Sequence, residues 1–455
     1  MAADRFVVLG LAGVRTAWFG DVARWATSAT LPVDFVKVVS LEEARARLRS
    51  GRPFSALLVD AGLAALDRDL VELATTHGCA VVAADDGRAA RPWPDLGVHA
   101  VLPPRFGPEQ LLDALRAVAR PIGRGDGQVA PTQHVRHDGP GAWRGRLVAV
   151  TGAGGTGRST LAMALAAGLA ADPRDRRLVL LADLALDAHQ ALLHDAGDVV
   201  PGVLELVEAH RGAVLPPEEV RGLCFAVHDR GYDLLLGLRR HRDWTALRPR
   251  ALRAALQGLC RTYRQVVADV DADVEGDDQC GSTDIEDRNL LARQALGAAD
   301  LVLVVGLPGV VGVHSQLRVI RDLVELGVDG GRIVPVVNRA PRSPRARAEV
   351  GSALVALLAA STPDVTLASS PVFVPERRRL ADAVRDDVAP PAPVVKPLVG
   401  AVRGLLERAR HGRAAPPPAE AEHVPVPVAP GSLGSWSAAD DAGAWTGGGS
   451  DGGDR

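Results

Sequence analysis

The stretch TGAGGTGRST, residues 151–160, combines the residue types and the spacing of a loop that binds phosphate. Gly152 and Gly157 are separated by four residues, and a basic residue and a serine follow. Glycine permits tight turns that aim successive backbone N–H groups at one concavity, and the N-terminus of a following helix adds positive potential. Ser159 is the predicted ligand of a Mg²⁺ ion. The predicted phosphate-binding residues are Gly152, Gly154, Gly155, Thr156, Gly157, Arg158, Ser159 and Thr160.

The segments on either side place this loop between a buried strand and a helix. RLVAVTG has the pattern of a strand, and STLAMALAAGLAA has the pattern of a helix. Asp183 ends the strand pattern RLVLLAD, and Asp269 ends QVVAD. Strands that alternate with helices form a parallel sheet, so residues 145–411 are predicted to form an α/β domain. Its other strand patterns are FAVHD or DLLLGL, then LVLVVGL and IVPVVNR.

Residues 1–120 contain five shorter strand patterns, RFVVLGLA, VDFVKVV, SALLVDA, CAVVAA and HAVLP, with helix patterns at LEEARARLRSG and PEQLLDALRAVAR. Their number and size resemble a response-regulator receiver domain, which is a flavodoxin-like parallel sheet. Asp60 ends the third strand, where a receiver carries its phosphorylated aspartate. The acidic pair of a receiver is replaced by LGLAGV, and its lysine by VLPPRF. We predict a receiver-like domain without phosphorylation chemistry, which serves for docking or dimerisation.

Two segments differ in composition from these domains. Residues 121–144 are rich in Gly, Pro and polar residues and lack periodicity, which predicts a linker. Residues 412–455 are rich in Pro, Gly, Ala and Asp, which predicts a disordered tail. Trp436 and Trp445 lie in this tail and are either a short partner-binding motif or incidental residues.

The bulk composition is that of an ordinary soluble chain, with 455 residues, 47% hydrophobic and 24% charged. A net charge of −3 excludes generic nucleic-acid binding by the whole chain. The four cysteines form no CxxC pair, so neither a zinc site nor a disulfide framework is indicated. There is no signal-peptide pattern, and the longest apolar run, 301–313, is too short to span a bilayer. We expect a cytoplasmic protein.

Several motifs together resemble the MinD/ParA group of P-loop NTPases. GAGGTGRST is similar to the deviant Walker A loop KGGxGK[ST]T, YRQVVADV to the Walker B strand, and IVPVVNR to the strand whose terminal asparagine, here Asn338, contacts adenine. The resemblance implies ATP and Mg²⁺ as cofactors, with Asp183 and Asp269 as catalytic carboxylates and Asp269 acting indirectly on the metal. A receiver-like domain fused to such an ATPase is the layout of the CpaE/TadZ proteins of Flp (Tad) pilus assembly. Part of the chain also looks like actinobacterial members described as septum-site proteins.

Three positions depart from the pattern of that group. Ala153 replaces the lysine that reaches the partner's phosphates across a dimer, and Arg158 replaces the lysine that acts in cis. Arginine keeps the charge but is bulkier and planar, and only two of the 52 basic residues of this chain are lysines. Ala185 replaces the second aspartate of the usual DxD motif, and Asp187, two residues further on, is not assigned its role. We predict a loop that binds ATP weakly or structurally and supports poor hydrolysis.

Three functions remain open on the sequence. The first is a cytoplasmic, homodimeric CpaE/TadZ-like factor that localises or assembles pilus or secretion machinery and is recruited to the inner face of the membrane at a pole or septum. The second is an active ParA/MinD-type ATPase that partners with the division machinery in septum-site positioning, or that positions chromosomes. The third is a signal-sensing regulator that acts through the receiver-like domain.

Three further segments have alternative interpretations. The acidic stretch 269–287 fits neither frame of an EF-hand and is interpreted as a solvated loop. The basic clusters 239–242 and 377–379 are interpreted as solvated helix ends rather than a DNA-binding face. Residues 397–412 have one apolar helical face, at Leu398, Val402, Leu405 and Ala409, and are interpreted as the last helix of the fold rather than a membrane-binding helix.

Overall fold

The computed structural model describes residues 5–13, 16–28, 30–63, 66–85, 87, 93–122, 144–197, 200–377 and 389–412. The chain divides into a compact unit, Met1–Leu406, and a second unit that begins at Glu407. Most of the predicted linker, two of the three arginines at 377–379 and the tail tryptophans Trp436 and Trp445 lie outside the described residues.

The described residues from 5 to 122, called the first half of the fold below, form a five-stranded parallel sheet in the order β2-β1-β3-β4-β5. This is the flavodoxin-like order of a doubly wound sheet. All five strands that the sequence predicts are confirmed. The helices predicted at 41–51 and 108–120 are also confirmed, and each ends two residues earlier than its pattern. The strands are β1 (Phe6–Leu11), β2 (Val33–Val38), β3 (Ala56–Asp60), β4 (Ala80–Ala84) and β5 (Ala100–Leu102); the helices are α1 (Ala17–Thr27), α2 (Leu41–Arg49), α3 (Arg68–Thr76), α4 (Trp93–Leu96) and α5 (Pro108–Val118).

The described residues from 144 to 412, called the second half of the fold below, form an eight-stranded sheet in the order β13-β12-β11-β6-β10-β7-β9-β8. Its strands are parallel except β8, which runs antiparallel to β9 at the edge. The sequence left FAVHD and DLLLGL as alternatives, and both form strands. The strands are β6 (Arg146–Thr151), β7 (Val179–Asp183), β8 (Phe225–Val227), β9 (Tyr232–Leu235), β10 (Gln265–Asp269), β11 (Leu301–Gly306), β12 (Ile333–Ala340) and β13 (Val372–Pro375).

The described helices of the second half cover both faces of this sheet, together with two short 3₁₀ turns at His241–Ala246 and Gly330–Arg332. They are α6 (Arg158–Ala170), α7 (Gln190–Leu193), α8 (Val203–Ala209), α9 (Pro217–Gly222), α10 (Pro249–Thr262), α11 (Asp277–Cys280), α12 (Thr283–Arg288), α13 (Leu290–Ala298), α14 (Val310–Glu325), α15 (Pro344–Ser361) and α16 (Ala392–Gly412).

Helix α6 is apolar on nearly every side because it is buried between the sheet and α16. Leu161–Ala166 and Leu169 are all fully buried, and a Cβ added at Gly168 would lie 2.2 Å from Val395 Cγ1 of α16. Leu398, Val402 and Leu405 are buried in the same hydrophobic layer. The interpretation of this segment as the last helix of the fold is therefore confirmed for these three side chains. Within the described ranges, no helix is both long enough and apolar enough to cross a membrane.

Helix α3 of the first half is joined to α8 and α10 of the second half by polar contacts. Arg68 Nε donates to His210 O at 3.0 Å, and Arg68 N donates to Arg211 O at 3.2 Å. Arg211 Nη2 donates to Asp67 Oδ2 at 2.9 Å, and Asp67 is 2% exposed. Arg250 N, in the first turn of α10, donates to Asp69 Oδ1 at 3.2 Å. The two sheets are thus held to each other by ion pairs and backbone hydrogen bonds as well as by the chain.

Candidate nucleotide-binding site

The loop between β6 and α6 has the backbone that its glycines predict. Gly155 and Gly157 have φ values of +78° and +87°, in the left-handed region that favours glycine. A Cβ at Gly157 would lie 2.5 Å from the side-chain nitrogen of Asn338. Thr156 Oγ1 donates to Ala153 O at 2.8 Å, which closes the turn. The loop is therefore a tight, internally bonded turn at the N-terminus of a buried helix.

Several polar groups of this loop are left without partners. Gly154 and Gly155 are exposed, and the backbone N–H groups of Gly154, Gly155 and Gly157 have no acceptor among the described residues. The hydroxyl groups of Ser159 and Thr160, in the first turn of α6, likewise make no hydrogen bond within the described ranges. Free N–H groups at a helix N-terminus are the donors that an anionic phosphate needs.

The parallel register brings the two predicted catalytic carboxylates together beside the loop. Asp183 on β7 is the direct partner of Asp269 on β10, and Asp269 is the partner of Val150 on β6. Asp183 is fully buried and Asp269 is 1% exposed. Burial raises the pKa of Asp183, and the neighbouring Asp269 carboxylate raises it further. The register therefore explains why strand ends far apart in sequence form one acidic pair.

The Asp183 carboxylate is engaged by backbone groups of the segment that follows it. Gln190 N donates to Asp183 Oδ2 at 2.9 Å, and Ala185 N donates to Oδ1 at 3.4 Å. Asp183 thus holds the backbone that leads into α7, and its catalytic role stays a prediction. Ala185, the position of the lost second aspartate, is itself buried.

Arg158 makes a two-armed ion pair with carboxylates beside the loop. Its Nε donates to Asp269 Oδ1 at 2.7 Å, and its Nη1 donates to Asp271 Oδ1 at 2.7 Å. Burial alone would lower the pKa of Arg158, but the Asp269 and Asp271 carboxylates outweigh it and raise the pKa. The guanidinium therefore stays charged, and two of its N–H groups are already used.

Two residues of this network were not predicted from the sequence. Gln190 is fully buried, and its Nε2 donates to Asp269 Oδ2 at 2.8 Å. Asp271 accepts from Leu186 N at 2.7 Å through Oδ2, besides accepting from Arg158. Asp271 lies in the acidic stretch DVDAD, whose alternate aspartates could have signalled a second carboxylate at the strand end. No feature of the sequence around Gln190 marks it as a partner of Asp269.

The rest of the acidic stretch is more ordered than expected. Residues 277–280 and 283–288 form helices α11 and α12, so the interpretation as a loop is wrong there, although neither helix has a buried residue. Asp273 accepts from Arg288 Nη2 at 2.8 Å and from Asn289 Nδ2 at 2.9 Å. Asp273 thus bonds to residues at the C-terminal end of α12.

Asn338, the predicted adenine contact, is used to brace the loop. Its Nδ2 donates to Thr156 O at 2.8 Å, and its Oδ1 accepts from Arg339 N at 2.8 Å. The side chain is 7% exposed. A contact with adenine stays a prediction.

The carboxylates beside the loop do not fit a resident Mg²⁺ ion. Mg²⁺ takes one or two carboxylate oxygens in near-octahedral geometry, together with waters and phosphates. Both oxygens of Asp269 and both oxygens of Asp271 already accept hydrogen bonds from protein donors. Ser159 alone among the predicted metal-binding residues keeps an uncommitted oxygen, its hydroxyl.

Both carboxylate oxygens of Asp60, at the end of β3, accept hydrogen bonds. Asp60 Oδ2 accepts from Thr16 Oγ1 at 2.8 Å, and Oδ1 accepts from Gly62 N at 2.9 Å. Thr16 is the N-cap residue of α1. Asp60 therefore ties two loops together at the edge of the first sheet.

No family model matches this chain, and no curated protein matches it. Several solved structures are weakly similar to it. A ParA family ATPase from Chlorobium tepidum TLS shares 15% identity over 56% of this chain and 98% of its own, with a TM-score of 0.43. The septum site-determining protein MinD from Pyrococcus horikoshii OT3, complexed with Mg-ADP, shares 19% identity over 58% of this chain and 97% of its own, with a TM-score of 0.41. A plasmid partition protein from Borrelia burgdorferi B31, bound to AMPPNP, shares 14% identity over 58% and 99%, with a TM-score of 0.41. None of these likenesses assigns a ligand or an activity to this chain.

Proposed function

We propose that this chain binds ATP through the loop at 151–160 and hydrolyses it poorly. The observation that carries this proposal is the ion pair of Arg158 with Asp269 and Asp271 beside a loop in which three backbone N–H groups have no acceptor among the described residues. Free amides at the N-terminus of α6 supply the donors for phosphate binding. The charged groups that hydrolysis needs are bonded to one another instead.

The proposed weakness in hydrolysis follows from what phosphoryl transfer requires. The reaction depends on cations that neutralise developing charge and on a group that positions the attacking water. Ala153 offers no charge, Arg158 is held by two carboxylates, and Asp183 is fully buried and bonded to backbone N–H groups. Removing one such electrostatic contact costs about 3–4 kcal/mol of barrier stabilisation in a well-studied case.

The wider role that we propose is that of a CpaE/TadZ-like localisation or assembly factor for Flp (Tad) pilus or related secretion machinery. The layout of a flavodoxin-like sheet ahead of a phosphate-binding sheet supports it. The contacts of α3 with α8 and α10 support a first half that moves together with the nucleotide-binding half. The protein would be cytoplasmic and recruited to the membrane by its partners, because the apolar face of α16 is used inside the fold.

A working ParA/MinD-type ATPase is the second candidate. The uncommitted hydroxyl of Ser159 favours it, because a metal ligand at this position is what an active site of that type retains. A signal-sensing regulator is less well supported, because both carboxylate oxygens of Asp60 are engaged.

Calorimetric titration of the full chain with ATP tests the proposal. We expect saturable binding by the natural chain and loss of binding in Gly157→Ala, whose Cβ would collide with Asn338 at a positive φ. Gly222→Ala in α9 is the matched control, because a Cβ there meets nothing within 4 Å. Phosphate release is measured on the same samples. Absence of ATP binding by the natural chain contradicts the proposal. Rapid release of phosphate supports the second candidate, a working ATPase, instead.

A further inference from the structure

The position of Arg158 relative to the carboxylates is that of a cation in a metal site. Its guanidinium is 2.7 Å from an oxygen of Asp269 and 2.7 Å from an oxygen of Asp271. The Arg158 side chain is 15% exposed and that of Asp269 is 1% exposed, so solvent screens this pair weakly. Two carboxylates that converge on one point are the arrangement that otherwise takes a divalent ion.

The remaining carboxylate oxygens are closed by neutral donors. Gln190 Nε2 bonds the second oxygen of Asp269, and Leu186 N bonds the second oxygen of Asp271. A metal ion would therefore have to displace a buried charge-assisted bond, which is worth roughly twice a neutral one. All four carboxylate oxygens thus accept a hydrogen bond, two of them from the guanidinium of Arg158.

The guanidinium has donors left for a ligand. Nε and Nη1 are bonded to carboxylates, whereas Nη2 has no acceptor within the described part of the chain. Arg158 is also the first residue of α6, so its backbone lies where the free N–H groups of the loop converge. The two hydrogens of Nη2 can therefore donate to a phosphate oxygen while Nε and Nη1 stay bonded to the carboxylates.

From this geometry we infer that Arg158 replaces the divalent cation of the site, so that nucleotide binding is independent of Mg²⁺. The inference rests on the proposed function for its ligand, which is the polyphosphate of ATP. The arginine bridges the carboxylates of Asp269 and Asp271 to the phosphate, as Mg²⁺ and its waters would otherwise do. Mg²⁺ that arrives with ATP then stays on the phosphates and adds little affinity.

The first test uses Mn²⁺ alone, without nucleotide, and reads bound Mn²⁺ by electron paramagnetic resonance. We expect the natural chain to bind no Mn²⁺ at concentrations that saturate Arg158→Gln. In that variant the carboxylates of Asp269 and Asp271 no longer hold a guanidinium. The double variant Arg158→Gln/Asp271→Asn should lose that Mn²⁺ again. Binding of Mn²⁺ by the natural chain that Asp269→Asn abolishes overturns the inference, as does a folded Arg158→Gln that binds no Mn²⁺.

The second test measures ATP affinity of the natural chain in excess Mg²⁺ and in excess EDTA, and it needs no variant. We expect the Kd to change by less than about threefold between the two conditions. A loss of more than about a hundredfold in EDTA overturns the inference. Absence of ATP binding in both conditions contradicts the proposed function, whereas the Mn²⁺ measurement still decides where the cation position lies.

Discussion

At the scale of residues, the chemistry of the loop depends on which partner holds Arg158. The arginine could neutralise phosphate or the carboxylates, and in the structure Asp269 and Asp271 hold it. Ala153, in the same loop, brings no charge. An arginine at 158 is ordinary for this composition, because the chain uses arginine almost everywhere. Because Arg158 pairs with both Asp269 and Asp271, it is the residue that neutralises the carboxylates of the site.

The same ion pair gives a stability prediction. Arg158→Ala leaves Asp269 buried without its cation, which should lower the free energy of unfolding by about 3–5 kcal/mol. Urea denaturation measures this change. Arg345→Ala removes the exposed pair with Glu349 on α15 and should stay within about 0.5 kcal/mol. Equal effects of the two substitutions would contradict a buried, charged Arg158.

The position of the site could be predicted from the sequence, but the hydrogen bonds among its side chains could not. The loop, Asp183 and Asp269 were predictable because strand, turn and helix signals are local. The bond from Arg158 to Asp271 spans 113 residues, and the bond from Gln190 to Asp269 spans 79. Such contacts depend on the register of β7 and β10, which no local pattern encodes.

At the scale of elements, most strands were predictable because buried parallel strands are continuous apolar runs. Two differences have local causes. Strand β13 has only four residues, too few for a clear pattern. Helix α16 begins at Ala392 rather than near Pro397, because proline usually marks the first turn of a helix but here lies inside one.

The docking of α3 gives a prediction for the contact between the halves. Asp67→Asn keeps an oxygen to cap α3 through Leu70 N but removes the charge that faces Arg211. A double-mutant cycle with Arg211→Ala should give a coupling of about 1–3 kcal/mol in unfolding free energy. A coupling near zero would mean that this ion pair does not join the two halves in solution.

The contact between α3 and the end of α8 also predicts a pH dependence of stability, because it includes His210. Its Nδ1 bonds Leu206 O at 2.9 Å, whereas its Nε2 is buried without a partner in the described residues. Burial lowers the pKa of His210, and the charges of Arg261 and Arg68 lower it further. The imidazole is neutral in the fold and becomes charged first in the unfolded chain, so its contribution is present above about pH 6.5.

That contribution is lost as the pH falls from about 6.5 through the lower pKa of the folded state. His210→Gln should flatten this part of the curve of unfolding free energy against pH. His314→Gln, at an exposed position of α14, is the matched control and should leave the curve unchanged. The same flattening in both variants would contradict the assignment to His210.

At the scale of the whole molecule, we propose a homodimer whose contact surface includes the start of α14. Val310 and Val311 are 88% and 80% exposed at the start of α14. The preceding strand, β11, pairs with β6, which leads into the loop. We expect a second copy of the chain to cover these exposed valines.

Val310→Glu should shift the chain from dimer to monomer in sedimentation velocity with ATP present. Val355→Glu on α15 is the control, at a valine that is 56% exposed but belongs to another helix. We expect the control to sediment like the natural chain. A natural chain that is monomeric at every concentration and nucleotide condition contradicts the dimer.

The central claim is that this molecule holds ATP without consuming it, and the identity of bound nucleotide tests it most directly. The full chain is incubated with ATP, separated from free nucleotide by gel filtration, and the nucleotide released from it is identified by chromatography. We predict that ATP is recovered intact after prolonged incubation, and that no nucleotide is recovered from Gly157→Ala. Recovery of ADP, with release of more than one phosphate per chain, would contradict the account.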